Sequence, residues 1–133
     1  MRLAVLTPDN IAAACAIRLR AGQERFVAPV AESIAEAYVS PAAWPRVIED
    51  DGRVVGFVMA SFDPDNEIPA FRAGIWRLAI AAVEQGKGYD RFAVDATASL
   101  SCGSEARAGR RSFISGLGSY QPARKCSARS SVR

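Results

Sequence analysis

The chain contains no histidine among its 133 residues. That excludes an imidazole base, and with it serine-triad hydrolysis of the usual kind. Cysteine is scarce: Cys15, Cys102 and Cys126 form an odd, scattered set without a CxxC pair. Such a set argues against a disulfide framework and against a zinc site, so no metal is expected. Long apolar runs are missing too. None approaches the ~20 residues of a membrane span. The opening "MRLAVLTPDN" reaches Pro8 and Asp9 too soon for the apolar core of a signal peptide. The expectation is a cytoplasmic protein with no membrane partner.

What is present is 50% hydrophobic, enough for one closed core in one domain. The formal charge of +3 is unevenly placed. Residues 1–96 hold 10 basic and 13 acidic side chains, net −3, whereas residues 97–133 hold 7 and 1, net +6. Serine follows the same division, with three before residue 97 and nine after it. The organisation expected is an ordered domain over 1–96 and a disordered, basic, Ser/Arg-rich tail over 97–133. A basic arm for nucleic acid is the less favoured reading of that tail.

Arg2–Thr7 is a short β-prone run. Thr7, Asp9 and Asn10 offer capping groups for a helix from Ile11 to about Ala21, with Gly22 as its stop. A second helix, "VAESIAEAYV", places Val30, Ile34, Ala37 and Tyr38 on one face, and Pro41 and Pro45 end it. Two β-rich runs in "RVIEDDGRVVGFVMASF" flank an Asp50-Asp51-Gly52 turn as a hairpin, with Val54–Phe62 as a central strand. "DPDNEIPAF" is a loop, "AGIWRLAIAA" the next strand, and "GYDRFAVDATASL" a helix, after which periodicity fades near Ala98.

Between that last strand and helix stands Gln85-Gly86-Lys87-Gly88. A strand feeding a helix through a glycine turn presents backbone N–H groups and the positive end of the helix dipole, an anion site. Glycine permits the turn and leaves room for phosphate oxygens. Lys87 adds a cation at the rim. The same spacing in isolation also suits a plain turn, and it is neither a P-loop nor a dinucleotide fingerprint.

The string "RLAIAAVEQGKGYDRFAV" resembles the acetyl-CoA segment of the GCN5-related N-acetyltransferase (GNAT) superfamily. "FVAPVAESIAEAY", "VVGFVMASFDPDN" and "GIWRLAI" look like its diamine and spermine/spermidine branch. The resemblance spans about residues 1–96. It implies an α/β fold, with a mixed, mainly antiparallel sheet flanked by helices. It implies that main-chain groups of Leu78 and Ile80 hold the pantetheine arm, and that amides of Gln85, Gly86, Lys87, Gly88, Tyr89 and Asp90 hold the pyrophosphate. Acetyl would pass from acetyl-CoA, the co-substrate, to a primary amine, with polyamines as the candidate class. Glu24, Glu32 and Glu36 could attract a cationic acceptor, although acidic residues on an amphipathic helix are usually its solvated face. No general base is assigned. A homodimer is left open, and a non-catalytic CoA-binding relic is the alternative to an enzyme.

Two departures from the family pattern matter. Where the loop ends in Gly or Ala, this chain has Asp90, whose carboxylate would repel a pyrophosphate; CoA binding weaker than in an Asp90→Gly variant is expected. The family also continues with further strands and a helix bearing a motif like "FYLRLGF", whose tyrosine often protonates the departing thiolate. Residues 97–133 lack it. Shifted by two nucleotides, codons allowed from Ser112 onward permit "FYLRLGFVPAGEEVFGEVVG". The expectation is a frame change soon after Val94, which leaves the C-terminal strands missing and the chain poorly stable. A genuine basic tail is the alternative.

Overall fold

The computed structural model describes residues 1–101. In chain order the elements are β1 (Arg2–Ala4), α1 (Ile11–Cys15), α2 (Val30–Val39), β2 (Ala43–Asp50), β3 (Arg53–Phe62), β4 (Ala73–Ile80) and α3 (Tyr89–Ser101). Single 3-10 turns at Pro69–Phe71 and Ala82–Glu84 flank β4. The strands form one sheet in the order β1-β2-β3-β4, antiparallel throughout. The fold is therefore the expected α/β class, an antiparallel sheet flanked by helices. Among the described residues no helix is long and apolar enough to cross a membrane.

The β2–β3 hairpin follows from its turn chemistry. Asp50 pairs with Arg53, so Asp51 and Gly52 alone make the reversal, with φ of 50° and 74°. Two positive φ values are what a two-residue loop between right-twisted strands needs. β3 is central, as its apolar run suggested, and buries residues on both faces. Val58, Ile48 and Ile80 pack with Tyr89, Ala93, Ala96 and Leu100 of α3. Phe57, Met59, Val47 and Ala79 pack on the opposite face against Ala14 of α1 and Val30 and Ala37 of α2.

Two register shifts set the aim of β4. One lies between Ile48 and Glu49 opposite Val55, whose carbonyl accepts from the N–H of Ala81 at 3.0 Å. The other lies where Met59 faces Arg77 but Ala60 faces Ile75, so that Trp76 is the extra residue. An inserted residue bends its strand and raises the local twist. Beyond Trp76, Leu78 and Ile80 both face α3, and Arg77 faces α2, where it meets Glu36 at 2.8 Å and Ser33 at 3.1 Å.

Three sequence expectations need correction. The first helix ends at Cys15, not near Ala21. Beyond it Ile17 and Leu19 pack against the α1/α2 face of the sheet at a spacing of two, and the carbonyl of Arg18 accepts from the N–H of Ala82 at 2.8 Å. The alternation in "IRLR" is an extended-chain signal that a helical reading overrode. Second, β1 stops at Ala4 rather than Thr7. Third, Pro45 does not lie outside the sheet: it sits in β2 opposite Met59. β1 reaches only as far as Val47, so Pro45 occupies a stretch with no partner on that side, where a missing N–H costs little. The tail was expected from residue 97 and the frame change soon after Val94; residues 95–101 belong to α3, and the rest of that tail, with the strands expected to be missing, lies outside the described residues.

Candidate functional site

The end of β4, the loop after it and the start of α3 form one wall of a cleft of about 430 Å³. Gly86 and Gly88 have φ of +83° and +88°, and a Cβ on either would meet no atom within 4 Å. Backbone conformation, not crowding, therefore demands glycine at both positions. The first hydrogen bond of α3 runs from the Phe92 N–H to the Gly88 carbonyl at 3.0 Å. The N–H groups of residues 85–91 find no acceptor among the described residues. A helix start always leaves a few such donors, and the loop extends the run.

Six of the residues singled out in the sequence line this cleft: Leu78, Ile80, Gln85, Gly86, Tyr89 and Asp90. Lys87 and Gly88 lie on the loop outside the lining. Gln85 faces inward. Its Nε2 donates to the Ile80 carbonyl at 3.1 Å and to Gln23 Oε1 at 2.8 Å, so one main-chain acceptor at the end of β4 already has a donor. Asp90 is exposed at the second position of α3 and makes no hydrogen bond or ion pair among the described residues.

The far wall comes from the segment after α1, which sequence reasoning assigned to a helix and a break. Leu19, Arg20, Gln23 and Val27 line it. Gln23 Oε1 accepts from the Arg20 N–H at 3.1 Å as well as from Gln85, which fixes the two walls to each other. The exposed Arg20 side chain has no ion pair among the described residues. No motif flagged these residues, because their partners are about 60 positions away.

Lys87 is not a free cation at the rim. Its Nζ meets Glu84 Oε2 at 2.8 Å, and Arg53 Nη1 meets Glu84 Oε1 at 2.9 Å. The hydrogen bond from Lys87, then that from Arg53, hold the Glu84 carboxyl below its ordinary value of 4.5 against the effect of burial. A carboxylate whose folded pKa is depressed stabilises the fold above its unfolded value and loses that contribution as pH falls through the folded one. Thermal midpoints are thus expected to decline below about pH 4.5, and the Glu84→Gln variant to show a shallower decline. Parallel profiles would remove Glu84 from the account.

Tyr89 closes the base of the loop. Its phenol donates to Asp50 Oδ2 at 2.6 Å, raising the phenol's pKa and lowering that of Asp50. Tyr89 also belongs to the buried cluster on the α3 face of the sheet. The three acidic residues considered for a cationic acceptor do not gather here. Glu36 is paired with Arg77, Glu24 accepts from the Gly22 N–H at 3.3 Å, and Glu32 is in the first turn of α2.

A profile of the acetyltransferase (GNAT) family matches residues 11–99. The chain belongs to that family. The matched stretch begins at α1, takes in the hairpin and β4, and ends within α3, so it contains the whole cleft. No curated protein matches the chain. The GNAT co-substrate class is acyl-CoA, and the donor set suits its pyrophosphate: consecutive unpaired N–H groups, open space beside both glycines, and a helix start. Two carboxylates line the cleft, Glu84 and Asp90, and among the described residues Asp90 is the one without a paired cation.

Proposed function

We propose that this chain binds acetyl-CoA with its pantetheine along β4 and its pyrophosphate over residues 85–91, and transfers acetyl to a primary amine, polyamines being the candidate class. The observation that carries the reading is the run of unpaired N–H groups at a left-handed glycine loop, joined to β4 in a GNAT chain. The neutral amine nitrogen attacks the thioester carbonyl and the C–S bond breaks. The amide forms and CoA departs as a thiolate; a base takes one amine proton, and protonation of the thiolate gives the CoA thiol, so that no net proton is released. Positioning of the two reactants supplies much of the acceleration in such a direct transfer.

A second reading, CoA binding without turnover, is favoured by the state of one carboxylate. Glu84, which lines the cleft, is held ionised by Lys87 and Arg53, which makes it a poor proton acceptor. Thiol release from acetyl-CoA in the presence of spermidine, with calorimetry of CoA binding alongside, separates the two. Binding with turnover supports the transferase, and binding without turnover supports the relic. Absence of CoA binding would reject both.

A further inference from the structure

A second groove, of about 410 Å³, lies where β1 diverges from the start of β2. It shares no residue with the acetyl-CoA cleft. Val5, Leu6, Ile11, Ile34 and Pro45 make it apolar, and Thr7 and Arg46 are its polar side chains. Its volume is in the range of small-molecule sites, about 300–1,000 Å³.

Arg46 is the anomaly. The residue is only 6% exposed, yet no carboxylate pairs with it among the described residues. Its guanidinium stands 4.1 Å from the Trp44 ring centroid, and Nη1 donates to the neighbouring Pro45 carbonyl at 2.8 Å. A guanidinium has five N–H donors, and this one uses a single hydrogen bond. Thr97 Oγ1 is the one described side-chain atom both sealed from solvent and without a partner. The spare Arg46 nitrogens are therefore not sealed in packed protein, and Arg46 is one of the residues that line the groove. Burial pulls this guanidinium down to about 10, so it remains charged at neutral pH. A buried, unpaired charge is costly unless something compensates it.

We propose that this groove is a binding site for a small apolar monocarboxylate, its carboxylate paired with Arg46 and its hydrocarbon body against Val5, Ile11 and Ile34. One guanidinium matches one negative charge, and its fork matches the two carboxylate oxygens. A phosphate dianion would leave a second charge uncompensated in an apolar groove, so a carboxylate fits better. The apolar lining sets the character of the rest of the ligand.

The experiment is titration of the full chain, without CoA, with hexanoate and with 1-hexanol, followed by amide and indole NMR shifts. Hexanoate is expected to shift Trp44 and the residues of the groove saturably and to raise the thermal midpoint. Hexanol should bind at least tenfold more weakly. The Arg46→Met variant keeps an unbranched side chain over Trp44 and removes the charge. It is expected to lose hexanoate binding while unfolding at the wild-type midpoint or above it. No saturable shift in the wild-type chain would overturn the proposal, as would equal affinity for the alcohol. So would hexanoate binding retained in Arg46→Met.

Discussion

Replacing Gly56 with alanine is expected to destabilise the protein by about 2 kcal/mol, the middle of the range for overpacking a filled core. For a domain of this size that is a fall of roughly 10 °C in the thermal midpoint. Gly56 lies in β3 directly between Ile48 of β2 and Ile80 of β4. A Cβ there would sit 2.8 Å from the Ala79 carbonyl oxygen, 2.8 Å from Ile80 Cδ1 and 3.0 Å from Ile48 Cδ1. The isoleucine methyls can rotate away, but the carbonyl belongs to a paired strand and moves only with β4. The residue adopts no left-handed φ, so the demand for glycine here is space alone. The shift would also reach the cleft, since Ala79 precedes the Ile80 carbonyl to which Gln85 donates. Gly56→Ala is therefore expected to weaken CoA binding as well as lower the midpoint. A midpoint within 2 °C of wild type, by calorimetry, would show that β4 accommodates the methyl group.

Asp90→Gly is expected to bind CoA about tenfold more tightly than the wild-type chain. A carboxylate on the order of 5 Å from a pyrophosphate with about two negative charges is opposed by roughly 1.5 kcal/mol in a water-like dielectric. Asp90 is exposed and unpaired, so nothing in the described fold masks its charge. The same carboxylate stabilises the start of α3 through the helix dipole, by about 0.3–1 kcal/mol. The two readouts should therefore move in opposite directions: tighter CoA binding and a lower thermal midpoint. Asp90→Asn keeps a side chain of similar size and isolates the charge, and it should give most of the gain. Raising salt from 50 to 500 mM should narrow the difference between wild type and variant. Equal affinities across the three chains would mean that the pyrophosphate does not approach the start of α3.

The difference between what was legible and what was not follows the range of the interactions. Turn chemistry is local. Asp51-Gly52 marked the hairpin, and Gly86 and Gly88 marked a loop that must enter left-handed conformation, because only a few residue types adopt those angles at little cost. The apolar run of β3 likewise announced a strand buried on both faces. The same local reasoning misjudged residues 16–21. Their alternating pattern is weak, and the Arg18 carbonyl accepts from the distant Ala82 N–H rather than from a next turn of helix. Lys87 was expected as a cation at the rim, but Glu84, three residues before it, pairs with it, and Arg53 reaches the same carboxylate from the distant hairpin.

By itself, then, the sequence determined the class of the fold, the family and the position of the glycine loop, since each rests on residues close together in the chain. It also excluded histidine chemistry by composition alone. Tertiary structure decided the rest. It set the segment around Arg20 and Gln23 opposite Gln85 to make a cleft, and brought Arg53 to Glu84. It also left Arg46 buried beside an apolar groove with no carboxylate partner among the described residues. The physical reason is that charge pairing and burial depend on which distant strands and loops become neighbours, and sheet order and register alone establish that.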